Sequence, residues 1–477
     1  MSWGTQQQDE YCIGSATRLI IARLEITRSR LRDLPQTAFP VVILALPSLW
    51  ILFNLPPLWR DVDAYVQTTY PPAPQTILLH GPLYCTLSRM PLWLGYLASG
   101  GRFVWAGHFF EHSQLTDAGV LALILAQHAA LVWAAFYLIT ACATGVVART
   151  SLAVFFACQP FFYAFAQCVG SETLSLILML VVAGAALRLV RCYPRVRAAD
   201  WVVLSALLCC CILTRKINLV LAAAMLPLTM TVLALRDWWR GQFRWRRQSR
   251  VWFASFGVAV AAIVWATAMT HLLCWRAGIP WRPKFGYTVI WRLNFLQPIP
   301  PLSRAELLRD VAARCNRPDS ARLVKFLRDW FEKHPAWQPA RFARDARRNF
   351  FSGAEEKRDA DFDLALDDIA HAFLLPPSAP LRTAALRDFF FGLTRGQTDA
   401  ATSLFQSTTY FFAHPDEMPQ CASLSTFQIP EADLLRFSNL HYLHWWSFLS
   451  MRAWLIGAGL PAQMASRSRS ASASWVR

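Results

Sequence analysis

The chain has 477 residues, of which 55% are hydrophobic and 16% are charged, and its formal net charge at pH 7 is +17. A charged share this far below the roughly one quarter of an average soluble domain argues against a soluble globular protein and indicates a polytopic membrane protein. The positive charge does not indicate nucleic-acid binding, because the basic residues stand beside apolar runs and no aromatic-basic nucleic-acid module is recognisable.

The amino-terminal segment, residues 1–37, is basic and amphipathic, and its first 34 residues carry five Arg. Apolar residues interleave with these arginines over 12–33, which predicts a helix on the cytoplasmic membrane surface with its arginines facing lipid phosphates. The apolar run that follows is long enough to span and lacks a small-residue cleavage site. We therefore expect no cleavable signal peptide.

Apolar runs of about 20 residues, the length that crosses a bilayer, recur along the chain. Those that we predict as spans are 38–58, 118–142, 147–168, 171–190, 200–214, 216–235, 251–275 and a last one at 441–460. The fold class predicted is all-α: a transmembrane domain over 38–275 with about seven to eight transmembrane helices in total. Two of the short or closely abutting runs could instead be half-spans or hairpins.

The distribution of charge predicts which side of the membrane each junction faces. Arginines fill the junctions after the fourth and sixth predicted spans, which fall on the same side as the amino terminus, and the positive-inside rule makes that side cytoplasmic. The first loop, 59–117, holds three basic and four acidic residues and falls on the opposite side. We therefore expect a multi-pass protein of the cytoplasmic (inner) membrane, in the cell envelope, whose first loop faces outward.

Residues 276–440 contain most of the acidic residues and show helical patterns, so they are predicted to form an extracytoplasmic helical domain. A capping box of Ser303 and Glu306 predicts one helix start. Apolar residues at helical spacing predict a further helix, and they are Leu323, Phe326, Leu327, Trp330 and Phe331. The Ser/Ala-rich tail, 461–477, is expected to be disordered and cytoplasmic.

The polar stretch that follows the first span carries the candidate catalytic residues. Asp61 and Asp63 flank one valine, and two carboxylates this close suit a general base plus a partner that orients an acceptor or holds a divalent cation such as Mg²⁺ or Mn²⁺. The alternative is a pair of solvated loop charges. Tyr65 and His80 lie in the same loop and are candidate substrate-binding residues, although His80 could also serve only as a hydrogen-bonding loop residue.

Two more features fall on the predicted outer surface. Glu172 begins the fourth span, where it is either a site residue or an acid placed to favour the helix dipole. Arg215 and Lys216 occupy a very short outer turn, against the positive-inside bias. They are candidates for binding a lipid phosphate, and the alternative is that they are interfacial anchors whose charges reach the headgroups.

Taken together, these motifs resemble the GT-C superfamily of membrane glycosyltransferases, which includes protein O-mannosyltransferases and the aminoarabinose transferases of lipid A. Asp61 stands four residues before Tyr65, as the family's first acid does, and HGPLY at 80–84 is similar to a His/Lys-Pro-Pro-Leu-Tyr segment. SETLSLIL at 171–178 and TRKINLVLA at 214–222 are similar to two later landmarks. The resemblance covers roughly 38–235. Val62 stands where the family has its second acid, so either Asp61 or Asp63 remains a candidate base.

The resemblance implies a polyprenyl-phosphate-linked sugar donor and inversion at the sugar carbon, with a glycan, lipid or protein as acceptor. A carboxylate would take the proton of the acceptor hydroxyl, and cations would stabilise the departing lipid phosphate. Two other classes of function are considered. A transporter or flippase of a lipid-linked or anionic solute would be expected to show internal repeats and charges at mid-membrane depth, and an assembly protein would need none of these acids.

Overall fold

The structure, a computed structural model, describes residues 38–52, 58–59, 77–78, 81–105, 116–192, 196–239, 241, 245–282, 284–290, 293–334, 337–353 and 355–394. Within these residues the chain is helical apart from loops and two strands of two residues each, which confirms the all-α prediction. The predicted helix at 12–33, the last predicted span at 441–460 and the tail lie outside the described residues.

The apolar part of the chain consists of helices with one short parallel strand pair. Its elements are α1 Ala38–Leu52, β1 Leu58–Trp59, α2 Leu83–Ala98, α3 Asp117–Cys142, α4 Val146–Ala157, α5 Pro160–Ala166, β2 Cys168–Val169, α6 Ser171–Cys192, α7 Ala198–Thr214, α8 Asn218–Trp239 and α9 Trp245–Arg276. The start of α3 is capped by Thr116, whose Oγ1 accepts a hydrogen bond from the Gly119 N–H at 3.1 Å.

Three stretches of the described chain are long and apolar enough to cross a membrane: Ala118–Cys142 in α3, Ser171–Val190 in α6 and Ser249–Arg276 in α9. The apolar helices α1, α4 and α7 are shorter than a full span. These three spans are fewer than the seven to eight that the sequence predicts. The apolar helices are compatible with a membrane protein.

One predicted span, 147–168, is not a continuous helix. The helix α4 ends at Ala157, Pro160 begins the short helix α5, and the chain then extends into β2. Gln159 before the proline is extended, with φ −103° and ψ 90°. A proline ring disfavours helical backbone at the preceding residue and lacks the N–H that a continuous helix needs, so the break follows from Pro160.

The long helix α3 packs against two different helices, α2 and α6. Gly95 of α2 lies so close to Gly119 of α3 that a Cβ on Gly95 would meet the Gly119 backbone at 2.2 Å, which requires small residues at this crossing. Further along, Tyr137 of α3 packs on Gly184 of α6. The first half of α3 therefore packs against α2 and the second half against α6. A separate apolar cluster is buried among α6, α7, α8 and α9.

The second half of the described chain is a set of helices with its own apolar core. The elements are α10 Phe285–Ile290, a 3₁₀ turn Leu293–Leu296, α11 Pro301–Arg314, α12 Pro318–Lys333, α13 Pro339–Phe350, α14 Glu355–Leu374 and α15 Ala379–Thr394. The helix predicted from apolar spacing is α12, and four of its five predicted apolar residues are buried in this core: Leu323, Leu327, Trp330 and Phe331. The extracytoplasmic position of 276–440 stays a prediction.

The capping box predicted at Ser303 and Glu306 is wrong. The helix α11 begins at Pro301, two residues earlier, and its cap position is Pro300, which has no side chain able to accept a hydrogen bond. Proline suits the first helical position because its fixed φ is already helical and its missing N–H would have had no partner there. Ser303 therefore lies inside the first turn.

Candidate functional site

The predicted turn of Arg215 and Lys216 connects α7 to α8 and is fixed by one buried asparagine. Asn218 Nδ2 donates to Cys211 O and to Ser175 Oγ, each at 2.8 Å. The first bond holds the turn against the end of α7, and the second holds it against the first turns of α6. Arg215 itself is extended, with φ −150° and ψ 127°.

Glu172 and Arg215 form an ion pair within this arrangement. Arg215 Nη1 lies 2.7 Å from Glu172 Oε1, and the side chains are 24% and 10% exposed, respectively. The pair is reinforced by the neighbouring contact between Ser175 and Asn218, which stand three residues after Glu172 and Arg215. Because both residues are largely withdrawn from solvent, this is a charge pair that water screens less than a surface one. The structure thus brings two predicted site residues into contact.

The predicted HGPLY segment reaches the same place through Gly81. A Cβ on Gly81 would lie 2.1 Å from Leu213 O and 3.2 Å from Thr214 C, so the segment crosses directly over the end of α7. Gly81 also has φ +89°, a region that favours glycine. This close approach puts the chain that begins α2 immediately beside the turn that carries Arg215.

Gly81→Ala should therefore destabilise the protein more than the same change at another glycine with positive φ. Gly100 provides the matched control, because it has φ +79° and nothing within 4 Å of an added Cβ. Gly100→Ala should cost only backbone strain, about 1–3 kcal/mol, whereas Gly81→Ala must also displace the end of α7. Thermal unfolding of both variants in the same detergent measures the difference, and equal melting temperatures would contradict the close approach.

A buried hydrogen-bond chain holds the start of α2 to the strand pair. Tyr84 OH donates to Gln127 Oε1 at 3.1 Å and accepts from the Gly170 N–H at 2.9 Å. Gln127 Nε2 donates to the carbonyl oxygens of Ala166 and Cys168, each at 3.0 Å. These contacts position the backbone that leads into Ser171 and Glu172. The sequence analysis identifies neither Tyr84 nor Gln127 as a positioning residue. For Gln127 a signal exists, because a glutamine inside a long apolar run indicates such a role.

The residues that precede the acidic loop pair with the residues that precede Ser171 and Glu172. Leu58 and Trp59 of β1 pair in parallel with Cys168 and Val169 of β2, so the chain before Asp61 runs beside the chain before Glu172. At the other end of the loop, Ile77 and Leu78 pack with Cys274 near the end of α9. The predicted residues Asp61, Asp63, Tyr65 and His80 themselves lie outside the described residues.

Lys216 stands in different surroundings from its neighbour Arg215. It lies within electrostatic reach of the Cys274 thiol and of the Lys284 ammonium group. Burial, together with the positive charge of Lys284, lowers the pKa of Lys216 to about 8. Lys284 Nζ in turn lies 2.6 Å from Asp363 Oδ2, a carboxylate on α14 that is almost fully buried. The sequence does not indicate that Lys284 and Asp363 are in contact near this turn, because the two residues are 79 positions apart along the chain.

No metal ligand set is found in the described part of the chain: it contains no group of three or more His, Cys, Asp or Glu side chains arranged to hold an ion. The candidate pair for Mg²⁺ or Mn²⁺, Asp61 and Asp63, lies outside that part. In comparisons with known proteins, no family model, no curated protein and no solved structure matches the chain.

Proposed function

We propose that the protein is an integral-membrane glycosyltransferase of GT-C type. It moves a sugar from a polyprenyl-phosphate carrier to an acceptor on the extracytoplasmic side of the cytoplasmic membrane, with inversion at the sugar carbon. The observation that carries the proposal is the meeting of three sequence landmarks in one place: Gly81 of HGPLY lies against the end of α7, where Arg215 pairs with Glu172. The strand pair supports it further, because Trp59, two residues before Asp61, pairs with Val169, three residues before Glu172.

The proposed chemistry divides the work between the acidic loop and the turn. Asp61 takes the proton from the acceptor hydroxyl as its oxygen attacks the sugar carbon, and Asp63 orients that acceptor or holds a divalent cation. The bond from the sugar carbon to the phosphate oxygen breaks, and the lipid phosphate leaves with the bonding electrons. Arg215, oriented by Glu172, stabilises the charge that develops on this phosphate, with Lys216 contributing a second positive charge. Tyr65 and His80 bind substrate.

The buried histidine of α3 gives no support to the transporter alternative. His128 Nδ1 lies 3.0 Å from Ser48 Oγ and His128 Nε2 lies 2.9 Å from Gln167 Oε1, so both ring nitrogens have neutral partners. A histidine that ties α1 and the chain before β2 to α3 is explained by packing. Ionisable residues that serve a solute pathway usually pair with one another or line a water-filled cavity.

The proposal is tested by the lipid-linked sugar that accumulates in cells lacking the protein. One polyprenyl-phosphate sugar should build up, and the purified protein in lipid should transfer the same sugar from that donor while releasing the lipid phosphate. Accumulation of an acceptor without its sugar would identify the other substrate. Cells with unchanged lipid-linked sugars, together with purified protein that transfers none of them, would contradict the proposal.

The proposed orientation predicts that 59–117 and 276–440 both face outward. Single cysteines at Gln75 and Asp361, introduced into a chain without its native cysteines, should both react with a membrane-impermeant thiol reagent in intact cells. A cysteine at Ser249 is the control, because the positive-inside rule puts the start of α9 on the cytoplasmic side. Labelling at Gln75 but not at Asp361 would show that the later spans are miscounted.

A further inference from the structure

The junction between α8 and α9 presents large aromatic side chains to the outside of the molecule. Trp238 and Trp239 at the end of α8 are 64% and 84% exposed, and Trp245 at the start of α9 is 73% exposed. The residues 240–244 connect the two helices, which pack against each other, so the three indoles lie at the same end of the pair. An exposed aromatic surface of this kind indicates a partner or a membrane interface that covers it.

The length of α9 places this junction at the surface of a bilayer. The stretch Ser249–Arg276 is apolar enough to cross a membrane and has 28 residues, whereas about 20 residues cross the hydrocarbon core. Its ends therefore extend into the headgroup regions, and the first turn of α9 lies beyond Ser249 on the same side. The apolar part of this stretch is 28% buried by protein, against 50% in the other two spans, so lipid covers more of α9.

Two exposed arginines stand side by side at this end of α9. Arg246 and Arg250 are four residues apart, which puts their side chains next to each other on one face of the helix. Like charges at this spacing repel, and neither guanidinium forms an ion pair with a carboxylate of the described residues. Phe253, which is 66% exposed, follows on the same face. The face thus carries two unpaired cations next to an apolar side chain that points into lipid.

The charge of the surrounding sequence indicates which lipid this surface suits. Residues 236–250 contain six Arg and one acid, Asp237. Guanidinium groups bind phosphate oxygens in a fork geometry, and indole rings prefer the level of the headgroups. The positive-inside rule puts the start of α9 at the cytoplasmic leaflet, whose anionic lipids attract basic segments beside a span.

We infer that the α8–α9 junction is a binding surface for anionic phospholipids. Arg246 and Arg250 contact the lipid phosphates, and the exposed indoles of Trp239 and Trp245 hold the junction at headgroup depth. The surface lies at the opposite end of α8 from the α7–α8 turn that carries Arg215. It therefore goes beyond the proposed sugar transfer and does not depend on it.

A lipid titration of the full chain in a neutral detergent tests the surface. Phosphatidylglycerol should raise the temperature of thermal unfolding of the wild type. In the variant with both Arg246→Gln and Arg250→Gln, the apparent Kd for this lipid should rise about ten-fold to thirty-fold, because two basic contacts to an anionic headgroup are lost. Phosphatidylcholine, which has no net charge, should act equally on both proteins. High salt should reduce the difference between them.

The chain offers a matched control on α13. Arg344 and Arg348 are also exposed and four residues apart, so replacing both by Gln changes the net charge by the same amount away from the spans. This control should keep the wild-type Kd for phosphatidylglycerol. The variant with both Arg246→Lys and Arg250→Lys keeps the charge and should retain most of the binding, which separates a charge effect from damage to the helix.

The soluble compound glycerol phosphate distinguishes a lipid from a free anion. It carries a phosphate without acyl chains and should not stabilise the wild type at the concentrations at which phosphatidylglycerol does. Stabilisation by glycerol phosphate equal to that by the lipid would show that the surface binds soluble anions and would overturn the inference. Equal Kd values for the wild type and the Arg246→Gln, Arg250→Gln variant, or an equal loss in the α13 control, would also overturn it, whether or not the protein transfers sugar.

Discussion

Asp61→Asn should lower the rate of sugar transfer by about 10²-fold to 10⁴-fold. The asparagine keeps the size and most hydrogen bonding of the side chain but cannot accept the proton of the acceptor hydroxyl. Donor binding should change little, since we assign the phosphate to Arg215 and Lys216. Single-turnover transfer and donor binding, measured on the same protein in lipid, separate the two effects.

Asp63→Asn distinguishes the roles that the sequence leaves open for the two acids. A loss of transfer that added Mg²⁺ or Mn²⁺ relieves would identify Asp63 as a cation ligand. A weaker apparent affinity for the acceptor would identify it as the residue that orients the acceptor. If Asp63→Asn has the larger effect on the chemical step, the base is Asp63. Glu111→Gln, another acid of the same loop, is the control. Full transfer by the double variant at Asp61 and Asp63 would remove the acidic loop from the mechanism.

The sequence predicts the helices better than it predicts their continuity. Apolar spacing is sufficient for α12, because Leu323, Leu327 and Trp330 must lie on one buried face. It fails for 147–168, where hydropathy stays high across Pro160 although the backbone cannot stay helical. Hydropathy reports which residues are apolar, whereas the break in the helix depends on the ring of one proline, Pro160. The same limit applies to the cap of α11, where proline replaces the expected serine.

The candidate site could be predicted only in part, for a similar reason. Charge sidedness places Glu172 and Arg215 in one layer, and the structure shows them in contact at 2.7 Å. The distribution of charge cannot show which neighbours the adjacent residues Arg215 and Lys216 face, because that depends on the extended backbone at Arg215. Nor can it find the contact between Asp363 and Lys284, which forms only because α14 packs beside the chain that follows α9.

Arg215→Gln should weaken binding of the lipid-phosphate donor by about ten-fold to a hundred-fold, the equivalent of one charge-assisted contact of about 1.5–3 kcal/mol. It should also destabilise the protein, because Glu172 is left as a half-buried carboxylate without its guanidinium partner. Glu172→Gln alone should leave donor affinity unchanged or raise it, since the amide oxygen of glutamine can still accept from the guanidinium and orient it, while the competing negative charge is gone. Donor binding and thermal unfolding are measured for both single variants and for the double variant.

The double variant separates a binding role of Arg215 from a structural one. Replacing both partners by glutamine removes both charges of the pair, so stability should return close to that of the wild type. Donor affinity should stay low, because no guanidinium remains to contact the phosphate. Arg188→Gln, at the far end of α6, is the control: it loses a 2.9 Å bond to Thr140 Oγ1 and should leave donor affinity unchanged. Recovery of donor affinity together with stability in the double variant would mean that Arg215 only ties the α7–α8 turn to α6, and the donor phosphate would have to bind elsewhere.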